Sequence, residues 1–179
     1  PNVASTCEAL KALTDDKNIR LLEKYKVFSR EEIVARYHIW VHTYNTTLEI
    51  EAGTLNEIVN ASVVPAGYEY AKLLADDLED IARLKKDMKL KVEAGALNDL
   101  KEHLSEVISK IYYVRRNTKE MMKLLGKAAK LHHEERARLY FDELKPLMEH
   151  IRRHVDALEC VVSDEHWDLP KYREMLFIK

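Results

Sequence analysis

Glycine and proline are scarce: four of each in 179 residues. That excludes a chain built on tight turns, and no Gly-rich loop that could cradle a phosphate is present. Cysteine is nearly absent. Cys7 and Cys160 lie far apart in the chain, so a single disulfide or two reduced thiols are both open, and reduced thiols in a cytoplasmic protein are the expectation. No apolar run approaches the ~20 residues of a membrane span, and no signal peptide is visible. An excess of one charge is missing too. The net charge of -2 arises from 29 basic and 31 acidic residues interleaved along the chain, which gives no footprint for nucleic acid or for an anionic membrane. Strand-like alternation of apolar and polar residues is also lacking.

What is present suits helices. Hydrophobic residues make up 46% of the chain and charged ones 34%, a balance suited to helices packed along their lengths. The anchor is a stretch from Phe28 to Pro65. Ser29 and Glu32 have the spacing of a capping box, and Phe28 and Ile33 that of a hydrophobic staple. Tyr37, Val41, Tyr44, Leu48, Leu55 and Ile58 then recur at spacings of three and four, widened by Ile33, Trp40, Ala52 and Val59 into a core-facing stripe. Before it, residues 1–27 read as a lead-in with two short helices. The first is expected to be capped by Ser5 with Glu8, the second by Thr14 with Asp15 and Asp16 in its first turn.

Val63-Val64-Pro65-Ala66-Gly67 is the first real interruption. Ala71, Leu74, Leu78, Ile81, Leu84 and Met88 follow in a register that does not continue the earlier seam, so a turn is expected here in preference to a kink. This second helix is expected to reach Ala94, with Gly95 as its left-handed cap. A third runs from about Leu97 to Leu131 through Leu100, Leu104, Val107, Ile108, Ile111, Val114, Met121, Leu125 and Ala128. A fourth begins near Glu134 and carries Tyr140, Leu144, Leu147, Met148, Ile151, Val155, Leu158 and Val162. Pro146 predicts either a kink in it or its true start. The fold expected is all-α: an elongated antiparallel bundle of about four long helices, with the bundle domain spanning residues 28–179. Its end, from Trp167 to Ile178, is too rich in large apolar groups for a solvated tail and is expected to dock. It would pack across the bundle, complete the local core as a short helix, or tether the domain to a neighbour.

Candidate chemistry is thin. His38/His42 and His150/His154 are four apart, the spacing that puts two imidazoles on one helix face, as helical zinc sites require. Four histidines from two helices would have to converge, however, and no Glu-x-x-His motif of a di-iron bundle occurs. They read as surface and packing residues, and His132-His133 as a helix C-terminus. Cys7 and Cys160 have no motif around them. Asp15-Asp16 and Asp76-Asp77 are adjacent, so their side chains diverge on a helix. Lys85-Lys86, Arg115-Arg116 and Arg152-Arg153 read as solvated faces. Tyr37, Trp40 and Tyr44 could line a ligand pocket, but at helical spacing they read first as core. No catalytic, cofactor-binding or metal-binding residue is therefore assigned.

Several stretches are distinctive. Lys26-Val27-Phe28-Ser29-Arg30-Glu31-Glu32 is followed by Arg36-Tyr37, by Leu48-Glu49-Ile50-Glu51-Ala52-Gly53-Thr54-Leu55 and by Val64-Pro65-Ala66. The chain closes on Trp167-Asp168-Leu169-Pro170-Lys171-Tyr172-Arg173-Glu174-Met175-Leu176-Phe177-Ile178. Together they resemble the C-terminal region of type III glutamine synthetases, the long-subunit bacterial class, and the opening from Pro1 to Leu13 resembles the segment leaving that family's catalytic domain. The resemblance implies a parent that makes glutamine from glutamate, ammonia and ATP through a γ-glutamyl phosphate, with Mg2+ or Mn2+ held upstream in a homo-oligomeric ring. It places none of the family's nucleotide or metal motifs in these residues. A non-catalytic domain that builds or regulates the oligomer is expected, in contact with the upstream catalytic domain and with other subunits. The other class is a free-standing helical interaction or sensor module. The missing initiator Met and the opening segment favour the first.

Overall fold

The computed structural model describes residues 5–89, 91 and 93–176. The described residues are helical with no strand, as expected for an all-α chain. Helix α1 is Thr6–Leu13, α2 Asp16–Lys24, α3 Arg30–Ile58, α4 Val64–Asp87, α5 Ala94–Ala128, α6 His133–Leu139, α7 Lys145–Glu159 and α8 Tyr172–Leu176. A 3-10 turn, Asp164–His166, lies between α7 and α8. The chain forms two compact units. The first comprises Pro1–Thr54 with Met121–Met148, the second Leu55–Glu120 with Glu149–Lys179.

The start of α3 is built as its sequence predicts. The Ser29 amide donates to the Glu32 carboxylate at 2.8 Å, and the Glu32 amide donates to the Ser29 hydroxyl at 3.2 Å. Two amides that the helix cannot satisfy itself are thereby paired. Ser29→Ala should lower stability by about 1 kcal/mol, read as a shift in urea midpoint. An unchanged midpoint would mean that solvent caps the exposed helix end equally well.

The shorter helices are capped differently from expectation. Ser5 is the N-cap of α1 but makes no side-chain capping bond. The Thr14 hydroxyl donates back to the Lys11 carbonyl, closing α1, while Asp15 takes the N-cap position of α2. Helix α2 ends in a Schellman motif: the Lys26 amide donates to the Glu23 carbonyl and the Val27 amide to the Leu22 carbonyl. Lys26 takes φ 54°, where glycine is usual.

The turn expected at Pro65 is absent. Helical backbone continues from Arg30 to Asp87 through a π-turn over Val59–Val63, in which the Val64 amide reaches the Val59 carbonyl five residues back. Pro65 has no amide to donate, and its ring crowds the carbonyl four residues earlier. A widened turn just before it accommodates both defects. The π-turn also explains the change of apolar register that suggested a reversal: one extra residue rotates everything beyond it by about 100°. The same device recurs at Pro146. Tyr140–Leu144 is a π-turn, the Lys145 amide bonds the Tyr140 carbonyl, and Pro146 follows. Helical backbone therefore passes through Pro146 from His133 to Glu159 and does not begin there.

Boundaries further on move as well. Helix α4 stops at Asp87, not Ala94, and the left-handed residue after it is Lys89 at φ 51°. Gly95 lies in the first turn of α5, so it caps nothing. Leu90 and Val92, which the longer helix would have included, lie outside the described residues. Burial along α4 ends at Leu74; Leu84 and Met88 face solvent.

In the first unit Ile33, Tyr37, Val41, Leu48 and Ala52 of α3 are buried with Ala137 of α6 and Tyr140, and α1 packs on α6. In the second, Val63, Val64, Ala66, Ala71 and Leu74 are buried, as are Val107, Ile111 and Val114 of α5 and Ile151 and Leu158 of α7. Gly67 belongs here for a steric reason. A Cβ on it would sit 2.9 Å from Cγ1 of Ile111, so its absence lets α4 and α5 approach closely.

Candidate functional site

In the first unit there is an open cavity of about 450 Å³. Cys7 and Lys11 of α1, Tyr37 and Val41 of α3, Glu134 and Arg138 of α6, and Asp142 of the second π-turn line it. The periodicity of α3 places Tyr37 on the core side, four residues before Val41, and the N-terminus of α6 brings Glu134 to it. Burial and a hydrogen bond with Glu134 push the Tyr37 phenol up to about 12, so it is a fixed proton donor at neutral pH. Burial likewise raises the Cys7 thiol, with Ser5 and Arg138 acting weakly the other way. A thiol held neutral is poorly suited to nucleophilic attack. The cavity is thus a mixed-charge pocket in which Tyr37 and Cys7 are held protonated.

Beside it lies a polar joint that sequence reasoning missed. Arg136 donates to the carbonyls of Ala128 at 3.0 Å, the last residue of α5, and of Ala129 at 2.9 Å and Leu131 at 3.3 Å in the turn after it. The same guanidinium meets Glu49 of α3 at 3.2 Å, and the Tyr140 hydroxyl donates to that carboxylate at 2.8 Å. Burial, then Glu49, raises the Tyr140 phenol and keeps it protonated. One turn earlier on α3, the Asn45 amide, almost fully buried, donates to the His133 carbonyl at 2.9 Å. One guanidinium therefore caps α5, pairs with α3 and belongs to α6. The available signal was Asn45 and Glu49, two polar residues four apart at the edge of an apolar seam.

Histidines of the two pairs meet aromatic neighbours. His38 packs edge-on to Tyr37, and His42 lies beside Thr46 and the ring of His133. In the second unit His154 stacks on Tyr113 with ring centroids 5.2 Å apart, and burial pushes its imidazole below the usual range. Among the described residues no group of three or more His, Cys, Asp or Glu side chains could hold a metal ion. His132 and His133 sit at the start of α6, not at a helix end, because α5 closes at Ala128 and His132 becomes the next N-cap. Of the three aromatics weighed as a pocket, Tyr37 is buried against the cavity, Tyr44 is half-buried and Trp40 faces outward. Cys7 and Cys160 are both free thiols.

In the second unit the tail is anchored where it leaves α7. Trp167 is buried, with no acceptor for its indole N–H. Lys171 Nζ donates to the carbonyls of Glu159 at 3.0 Å and Val162 at 3.2 Å and pairs with Asp164 at 2.7 Å. Met175 and Leu176 remain exposed, and Phe177 and Ile178 lie outside the described residues.

Residues 1–82 match the family described as glutamine synthetase C-terminal domain. The match spans 82 of the 179 residues. Similarity extends beyond the matched residues. A type-3 glutamine synthetase of Dictyostelium discoideum is 28% identical over 179 residues, covering 99% of this chain and 24% of the relative. A glutamine synthetase of Bacteroides fragilis is 29% identical over 178 residues, with the same shares. One from Butyrivibrio fibrisolvens is 24% identical over 180 residues. The chain thus spans about a quarter of the length of these glutamine synthetases, and it corresponds to their C-terminal portion. No helix among the described residues is long and apolar enough to cross a membrane.

Proposed function

We propose that this domain serves a type III glutamine synthetase as a non-catalytic structural part, helping hold subunits together in a cytoplasmic ring assembly. The parent would join glutamate and ammonia at the expense of ATP. Its nucleotide and its Mg2+ or Mn2+ would be held by upstream residues. The observation that carries this reading is the end-to-end similarity of the chain to one quarter of glutamine synthetases. The polar groups of the first unit support it: Arg136, Glu49, Tyr140 and Asn45 are engaged in joining helices.

The test compares the longer protein with a version ending before this domain. Loss of the high-mass assembly on light scattering, with ligase activity falling alongside it, is the expected result. The domain alone should form no γ-glutamyl hydroxamate above a boiled control. A truncated enzyme that assembles normally, or a domain that is active by itself, would overturn the proposal. The mass of the protein in its source bears on the second reading, an independent interaction module. That reading requires about the 20.9 kDa of this chain; a domain of a longer enzyme requires several times as much.

A further inference from the structure

Helix α3 has a second face suited to packing. Opposite the buried seam, Ala35, Ile39, Thr43, Thr46, Ile50 and Thr54 follow one another at spacings of three and four, with no charged residue in the stripe. Ile39 is 60% exposed and Ile50 63%, and Trp40 on the flank 44%. A Cβ on Gly53, beside the stripe, would meet nothing within 4 Å. A helix with apolar groups on both sides is normally buried on both sides. On a solvated helix this face would carry Lys and Glu, as the outer faces of α4 and α5 do.

The order of the residues says what covers it. The spacing of the stripe is the same in both directions, and its four inner residues are too: Ile39 and Ile50, Thr43 and Thr46 are placed symmetrically about the Tyr44–Asn45 bond, with Ala35 and Thr54 at the two ends. We propose that α3 pairs antiparallel with α3 of a second copy of this chain, across a two-fold axis opposite Tyr44–Asn45. In such an isologous contact Ile39 meets the partner's Ile50, and Thr43 the partner's Thr46. The charges agree with this register. Arg36, Trp40 and Glu51 share one flank of the stripe, and the axis brings Arg36 within two residues, about 3 Å along the helix, of the partner's Glu51. This complementary pair occurs twice by symmetry, and Trp40 from each copy closes the same rim, a residue enriched where interfaces hold tightly. The stripe is about 30 Å long and one helix wide, at the small end of specific interfaces, so the contact is a reversible one that repetition in a larger assembly strengthens.

This inference deepens the assembly reading by naming the partner surface, and the two fail separately. The truncation experiment asks whether the domain matters to the oligomer; the present one asks which face it uses. Sedimentation equilibrium of the 179-residue chain over a wide concentration range is expected to show a monomer–dimer equilibrium. Ile50→Glu should raise its Kd by about 100-fold, because two copies of the change enter each interface, while helicity and urea midpoint stay unchanged. Glu51→Arg should weaken association about tenfold, and Arg36→Glu combined with Glu51→Arg should bring it back to within about threefold of the parent. A chain that stays monomeric up to about millimolar concentration assigns the face to upstream residues and overturns the proposal. A dimer indifferent to Ile50→Glu, or a charge swap no better than its single changes, overturns it as well.

Discussion

Arg136→Ala is expected to lower the stability of the domain by about 3 kcal/mol, more than any exposed charge should. Arg136 is 17% exposed in its side chain, and its guanidinium serves three carbonyls at the end of α5 together with the Glu49 carboxylate. The Ala128 carbonyl, at the last residue of α5, also accepts from the Leu131 amide at 3.0 Å, while those of Ala129 and Leu131 belong to the turn that follows the helix. Removing the donor leaves the Ala129 and Leu131 carbonyls to find water in a partly closed joint and leaves Glu49 with the Tyr140 hydroxyl alone. The Glu49 side chain is 37% exposed, so solvent softens its share of the penalty. The carbonyls therefore carry most of the effect. Arg136→Lys should recover less than half, because one ammonium cannot reproduce a planar fork that spans several acceptors. The measurement is a urea midpoint at constant m-value, with Tyr140→Phe added in a double-mutant cycle. A loss below about 1 kcal/mol would mean that apolar packing, not this network, holds α5 to α6.

That joint marks where sequence reading stopped. The capping box at Ser29 and Glu32 was legible because it depends on four consecutive residues. So was the core face of α3, since periodicity depends only on the helix itself. Arg136 sits in Glu134-Glu135-Arg136-Ala137-Arg138, which reads as a solvated charged turn; its acceptors are carbonyls, invisible to residue type. The continuous helix at Pro65 was hidden for a related reason. Proline chemistry argues for a break, and only the π-turn at Val59–Val63, a matter of backbone geometry, relieves it. The outer stripe of α3 was present in the sequence but masked by the stronger seam behind it. Tyr37 was found as core, yet its contact with Glu134 and the cavity beside it required a helix that begins about 100 residues later. Trp167 to Ile178 was read from composition as docking, but not what it would dock on.

Trp167→Ala should cost the chain about 3 to 5 kcal/mol, the range for a large aromatic removed from a packed site. The indole is 7% exposed, and the segment that holds it is otherwise short of regular structure: a single 3-10 turn precedes it and α8 begins five residues later. No helix periodicity can replace its burial. The indole N–H has no acceptor, so Trp167→Phe should be far milder than Trp167→Ala: it loses area but also loses an unpaired donor. Lys171→Met should fall between, at about 1 to 2 kcal/mol, because the ammonium caps the carbonyls of Glu159 and Val162 where α7 ends. These values separate the two roles open to the tail. A tail that serves only to tether the domain elsewhere would leave the urea midpoint of the isolated chain unmoved by either change. A tail that completes the local core would move it by the amounts given, and deletion of residues 171–179 would cost about as much as Lys171→Met. Met175 and Leu176, exposed beyond these anchors, are then the part of the tail left for a neighbour. Their replacement by Ser should leave the midpoint unchanged, and a fall comparable to that of Trp167→Ala would place the anchor at α8 instead.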